Sequence, residues 1–305
     1  MKLFIIGNGF DLAHGLKTSY GDFRDYLEEE DWSYLESLED MYGFCIDSKR
    51  EWVKEYLWRD FEMNLSDIDE TRIIEVGENI DLGLEGGDIS CEDTLNEYWD
   101  EQYKFIERLN EFVKNWIKQL DISTMRKTDR INEDTNGLFI TFNYTLLLEE
   151  VYGVEDYDIL HIHGSINNND SAPVIGHGNK EKIIEMNEIS KDAGEKFEEK
   201  KCSIYGAVAN YYERTLKDVQ DFIRWNRSFF SRLNSVDEIF IIGHSLGDVD
   251  MPYFDEIKNN VSDNTIWNIY YYNDDDEILY REKIISMGVN ERNIRVLKTD
   301  EFFNL

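Results

Sequence analysis

Short apolar runs, separated by stretches of three-four periodicity, set the frame of this chain. Leu3–Ile6, Leu138–Thr141, Asp158–Ile162, Phe240–Ile242, Ile266–Tyr272 and Ile294–Leu297 are dominated by consecutive large apolar residues and are followed closely by glycine, asparagine, histidine or aspartate. Runs this short, without polar alternation, predict strands buried on both faces, as in a parallel sheet. Between them the apolar positions recur at helical spacing. Tyr20, Phe23, Tyr26 and Leu27 share one face; Trp32–Tyr42 and Glu51–Leu65 read as further helices; Asp93–Leu120 keeps the spacing for about eight turns. Thr145–Tyr152, Glu181–Lys201 and Tyr205–Leu233 complete the helical set. Six strands alternating with helices predict an α/β fold, a doubly wound parallel sheet of about six strands.

The roughly hundred residues between the first strand and the second are far more than an ordinary crossover requires. They predict one domain over residues 1–305 with a large helical insertion at 30–130 that caps the site, and a second helical insertion at 180–235. Within the first, Glu78–Ser90 carries Gly83, Gly86 and Gly87 among acids and reads as a surface loop.

Composition then narrows the class of protein. With 41% hydrophobic and 14% aromatic residues in 305, the chain has enough apolar matter for a folded core, so its formal charge of −33 belongs to a folded protein. Such an acidic field repels nucleic acid and anionic membrane, and no basic run reverses it locally. The expectation is a cytoplasmic protein with a small-molecule nucleotide as ligand, no nucleic acid and no membrane, since four apolar residues before Gly7 are too few for a signal peptide. An anionic ligand would have to rely on backbone N–H groups and on cations such as Lys17 or Arg24. Cys45, Cys91 and Cys202 are odd in number and form no C-x-x-C pair, which predicts neither a disulfide framework nor a thiolate zinc site.

The chemistry concentrates at the strand exits, where open α/β sheets bind their ligands. Gly7, Asn8, Gly9 and Asp11 follow the first strand, and the glycines allow close backbone approach to a phosphate. Leu12 stands where the dinucleotide fingerprint has its third glycine, so the match to that fingerprint is partial. Asn143 follows the second strand, His163 and Gly164 the third, Gly243, His244, Ser245 and Asp248 the fourth, and Asn273 and Asp274 the fifth. His161 and His163 alternate along a strand and would point the same way, but no third ligand accompanies them and no metal is expected. Gly243-His244-Ser245-Leu246-Gly247 fits the nucleophile-elbow pattern, yet the hydrolase order needs a histidine after the serine and His244 is the last in the chain. A serine esterase using Ser245 is therefore the weakest of the readings.

Four segments, GNGFDLAHGLKTSYGDF at 7–23, TFNYT at 141–145, HIHGS at 161–165 and GHSLGDVD at 243–250, resemble the bacteriophage abortive-infection family AbiH, itself similar to sirtuin-like NAD-binding and NAD-cleaving domains. The resemblance implies a Rossmann-like domain with NAD as substrate or ligand. On it, Gly7 and Gly9 fall on phosphate-contacting glycines with Asn8 between them, and Asn143 on an asparagine that orders the nicotinamide ribose or an attacking water. His163 falls on a general base, Gly243 and Ser245 on a later cofactor-contacting turn that runs on to Asp248, and Asn273 on an asparagine near the adenosine ribose. The implied activity is NAD hydrolysis in anti-phage defence; His163 and Asn143, together with Asp11 from the first strand exit, make the expected catalytic set. Thr145 stands where sirtuins commonly have aspartate, and the absence of a four-cysteine zinc module argues against protein deacetylation. The alternative is a non-catalytic nucleotide sensor that signals through residues 30–130 to a partner protein or to a second copy in a homo-oligomer, with a phage-derived product or partner protein as its trigger.

Overall fold

The computed structural model describes residues 1–45, 48–79, 108–131, 137–167 and 169–303. The predicted loop at Glu78–Ser90 from residue 80 onward, Cys91, and the part of the predicted Asp93–Leu120 helix before residue 108 lie outside these residues. By contact the chain divides into two compact units, Met1–Ser19 with Lys114–Val174 and Asp218–Leu305, and Tyr20–Val113 with Ile175–Lys217.

The first unit is built on β1 (Lys2–Ile6), β2 (Gly137–Thr141), β3 (Ile159–His161), β4 (Glu238–Ile242), β5 (Ile266–Tyr271) and β6 (Ile294–Lys298). All are parallel, in the order β3-β2-β1-β4-β5-β6. This is a doubly wound sheet whose winding reverses between β1 and β4, and the expected α/β fold is observed.

The alternation of side chains explains why continuous apolar runs were needed. Leu3 and Ile5 join Leu138, Ile140, Ile239, Ile241, Trp267 and Ile269 in a core on one face, covered by Phe222, Phe230, Tyr253, Phe254 and Ile284. Phe4 and Ile6 join Phe139, Phe240, Ile242 and Tyr270 on the other, against Phe10, Leu147, Tyr152, Phe302 and Phe303. Phe4 pairs in register with Phe139 and with Phe240, and its ring stacks on both, with centroids 5.0 and 5.1 Å apart.

Two helical boundaries depart from the sequence pattern. The predicted Tyr205–Leu233 helix is interrupted after the helix Glu199–Arg214. His177 N–H donates to Thr215 O and Lys217 N–H to His177 O, at 2.9 and 2.8 Å, so a short parallel bridge draws the chain out of helix there. Helix resumes at Val219–Trp225, where the Asp218 side chain caps the first turn by accepting from Gln220 N–H. At the other end of the chain, the helix Asn8–Ala13 starts directly on Gly7, so the glycine turn is itself the first turn of a helix.

Among its described residues the second unit is helical. Ile68, Met186, Ile204, Val208, Tyr211 and Tyr212 form its core. Arg24 is buried here, its guanidinium meeting both oxygens of Glu39 at 2.7 and 3.2 Å, while Trp58 Nε1 donates to the same carboxylate. That commitment removes Arg24 from the cations expected at an anionic ligand, a correction the sequence pattern could not supply.

The helices Lys180–Glu195 and Glu199–Arg214 are joined by a Schellman turn, in which Phe197 N–H donates to Gly194 O and Glu198 N–H to Ala193 O. Phe197 occupies the left-handed position with φ of 60°, and its ring is 89% exposed, so it carries the backbone strain without a packing return. Phe197→Gly is expected to stabilise the protein by about 1 kcal/mol, read as a higher denaturant midpoint at unchanged m-value.

Candidate functional site

The exits of β1 and β4 meet backbone to backbone. Gly7 N–H donates to Ile242 O at 2.9 Å and Gly9 N–H to Gly243 O at 2.8 Å. A Cβ on Gly7 would lie 2.5 Å from Gly243 O, and one on Gly243, whose φ is +67°, would lie 2.3 Å from Phe10 N. These glycines are therefore demanded by the packing of two strand exits, and the N–H groups of Gly7 and Gly9 are spent within the turn. Asn8 is exposed, its Nδ2 donating to Thr18 O at 2.9 Å.

Beside this contact lies a buried polar network. Asn143 Nδ2 donates to Asp11 Oδ1 at 2.8 Å and to Gly7 O at 3.1 Å, and Thr145 Oγ1 donates to Asp11 Oδ2 at 2.7 Å. Because Gly7 O can only accept, the amide orientation is fixed and Asn143 Oδ1 faces elsewhere; that oxygen is buried and has no hydrogen-bond partner among the described residues. The Asn143 main chain is held too. Its carbonyl accepts from His161 Nδ1 at 3.1 Å, and His161 Nε2 faces Glu149 Oε1 at 2.7 Å. Both ring nitrogens meet groups that accept, which fits a doubly protonated ring. Burial alone would lower the His161 value, but the hydrogen bond and charge of Glu149, with the Asn143 carbonyl, hold it above the ordinary histidine range.

Asp11 is the buried acid of the set. Burial raises its value from 3.8 to about 7, against the opposing pull of Thr145, Asn143 and the His161 charge. At neutral pH it is poised to hold or release a proton.

A second cluster abuts the first through His244, whose Cβ lies 2.8 Å from the position of a Cβ on Gly7. His163 Nε2 is 3.7 Å from Asp250 Oδ1, and His244 Nε2 is 3.4 Å from Asp250 Oδ2. The Phe142 ring stands edge-on to both imidazoles, with centroids 5.2 and 4.2 Å away.

The strand exits thus bring Gly7, Gly9, Asp11, Asn143 and Gly243 together, with His163 in the adjoining cluster. Ser245, Asp248 and Asn273 are exposed on the segments after β4 and β5. Asp248 is tied to Lys283, whose Nζ reaches its Oδ1 at 2.8 Å and Leu246 O at 2.7 Å. His244 Nδ1 accepts from Leu246 N–H at 2.9 Å, so with Nε2 towards Asp250 neither nitrogen serves Ser245. The left-handed residue of that turn is Leu246, with φ of 53°, and not the serine. β3 stops at His161, so strand alternation does not extend to His163, and the two histidines meet different partners, contrary to the shared direction read from their spacing. Among the described residues no group of three histidines, cysteines or acids could hold a metal ion, and no helix is long and apolar enough to cross a membrane.

Sequence reasoning passed over Thr145, Glu149 and Asp250 as members of the site. Thr145 and Asp250 left a signal as the last residues of TFNYT and GHSLGDVD, and Glu149 left none.

This is an α/β protein with a polar site at the carboxyl edge of a doubly wound sheet. The family model described as "Bacteriophage abortive infection AbiH" matches residues 3–271, and the chain belongs to that family. The family assignment carries a role in phage defence by abortive infection. No curated protein sequence gives a significant match.

Two measurements check the geometry. Gly243→Ala, strained in φ and in collision with Phe10 N, should cost several kcal/mol, of the order seen for overpacked cores, and lower the thermal midpoint sharply. For Asp11 the folded value exceeds the unfolded one, so its contribution to stability is complete below 3.8 and is lost as pH rises to about 7. The wild type should therefore lose more stability than Asp11→Asn between pH 3.8 and about 7, with the difference on the order of 4 kcal/mol by calorimetry. His161 acts in the same direction, its contribution being lost as pH rises from its unfolded value through its raised folded one.

Proposed function

We propose that this chain is a sirtuin-like, NAD-binding defence protein that hydrolyses NAD to nicotinamide and ADP-ribose, stalling the infected cell by depletion of the dinucleotide. The observation that carries the reading is the buried, unpartnered Asn143 Oδ1 at the carboxyl edge of the sheet, one residue beyond the backbone contact of β1 with β2. An acceptor left this way costs about 1–3 kcal/mol unless a ligand donates to it, and a ribose hydroxyl, a carboxamide N–H or a bound water supplies such a donor.

The residues fit the reaction. Breaking the bond between nicotinamide and ribose sends the bonding pair to the departing ring and leaves positive charge on the sugar. The Asp11 carboxylate and the Asn143 dipole oppose that charge, both held rigidly by Thr145, Gly7 and His161. The oxygen of water forms the new bond to the sugar carbon, and His163 accepts the proton released. The scheme calls on no metal. Because the Gly7 and Gly9 N–H groups are already bonded, recognition rests on side-chain polar groups and less on a phosphate-cradling turn.

Nicotinamide release from NAD, followed chromatographically with purified protein alone and with extract of phage-infected cells, tests the proposal. Asn143→Ala and His163→Ala are each expected to slow release by about 10²-fold or more. Variants as fast as the wild type would remove both residues from the chemistry. NAD binding by calorimetry without release in either condition would replace hydrolysis by sensing.

A further inference from the structure

Asp250 stands at the N-cap of the helix Met251–Asn260, the place where an aspartate ordinarily accepts from the helix's own first N–H groups. Its side chain makes no such bond. A cap is worth about 1 kcal/mol, so turning the carboxylate elsewhere calls for a reason. The reason is visible in its two neighbours: one carboxylate oxygen faces His163 Nε2 at 3.7 Å and the other faces His244 Nε2 at 3.4 Å.

The three groups come from two parts of the chain, His163 from the segment beyond β3 and His244 and Asp250 from the one segment between β4 and the helix Met251–Asn260. Both histidine side chains are nearly inaccessible, at 3% and 4%, and Asp250 is only 15% exposed. Phe142 lies edge-on to both rings, and Tyr253 and Phe222 flank His163 with centroids at 5.5 and 6.2 Å. In such surroundings a proton on either ring needs a counter-charge close by. The tautomer of His244 follows from its contacts. Its Nδ1 accepts from Leu246 N–H at 2.9 Å, so its own proton sits on Nε2, towards Asp250. The buried Leu246, left-handed at φ of 53°, keeps that N–H aimed at the ring.

We propose, resting on the assignment of His163 as the proton acceptor, that Asp250 is its positioning carboxylate and that His244 anchors Asp250 from the opposite side. Asp250 Oδ1 stands at 3.7 Å from His163 Nε2, an ion-pair and not a hydrogen-bond distance, so it is the charge of Asp250 that favours the proton of His163 on Nε2. Nδ1 then takes the proton from the attacking water, and the imidazolium so formed has its counter-charge already in place. Neither Asp250 nor His244 touches the reacting atoms; both act through His163. The arrangement assigns a role to the acid that ends GHSLGDVD and to the histidine that precedes the elbow-like serine.

Asp250→Asn is the informative change, because an amide presents an acceptor on one side and a donor on the other. It cannot serve two Nε2–H donors, so one ring must move its proton to the other nitrogen. The experiment records ring ¹⁵N shifts of His163 and His244 in the full chain, wild type and D250N, together with NAD turnover. The expected result is an Nε2-protonated His163 in the wild type, an altered ring pattern in D250N, and kcat about 10²-fold lower with KM within about twofold. Wild-type kcat in D250N, or a wild-type His163 protonated on Nδ1 alone when neutral, would overturn the proposal. If the wild type releases no nicotinamide, the hydrolysis reading falls while the ring pattern still decides whether Asp250 orients His163. Should D250N not fold, the wild-type ¹⁵N pattern and His244→Gln, expected to lower kcat about tenfold at unchanged KM, decide between the two outcomes.

Discussion

Everything at the functional edge depends on how closely the exit of β1 can approach the exit of β4. The two backbones touch through Gly7, Gly9 and Gly243, with carbonyl and N–H groups of one bonded to the other and no room for a single methyl group between them. At the reversal point of a doubly wound sheet the crossovers on the two sides diverge and leave a crevice. Here the glycine contact lies at that reversal point and sets the height at which side chains from neighbouring exits converge. Asn143 reaches Gly7 O, and His244 stands over Gly7, because nothing larger than hydrogen occupies the positions between.

Beside that contact the protein builds two carboxylate environments of different kind. Asp11 receives hydrogen bonds from neutral donors and is deeply buried, so its proton is retained to about pH 7. Asp250 instead lies between two imidazoles. The His161–Glu149 pair serves the first environment from behind. By grasping the main-chain carbonyl of Asn143 it fixes the amide whose remaining oxygen is buried without a hydrogen-bond partner among the described residues.

The strands were legible because parallel strands covered on both faces must be apolar at every position, a pattern that Leu3–Ile6 and Phe240–Ile242 display openly. Their spatial order was not, since β1 takes both of its neighbours from more than a hundred residues further along the chain. The break after Arg214 was hidden for the same reason: His177 causes it from a distance, and nothing in the local periodicity of Tyr205–Leu233 announces it. Pooling strand-exit residues recovered Gly7, Asp11, Asn143, His163 and Gly243. It missed Glu149 and Thr145, which sit on the segment after Asn143, and Asp250, which in one dimension reads as an ordinary helix cap. His161 has partners on both ring nitrogens, and they are the same groups that hold the site in place.

The stacked rings of Phe139, Phe4 and Phe240 carry a consequence for how the molecule is made. They lie at one level across three adjacent strands, and a slip of one residue would send each ring to the opposite face. The stack is thus a checkpoint on alignment. Yet β1 is synthesised long before either neighbour, so during translation Leu3–Ile6 waits without its partners while the helical segments emerge. Of the six strands β1 is the first to be made, and its ring stack is complete only when Phe139 and then Phe240 have been added.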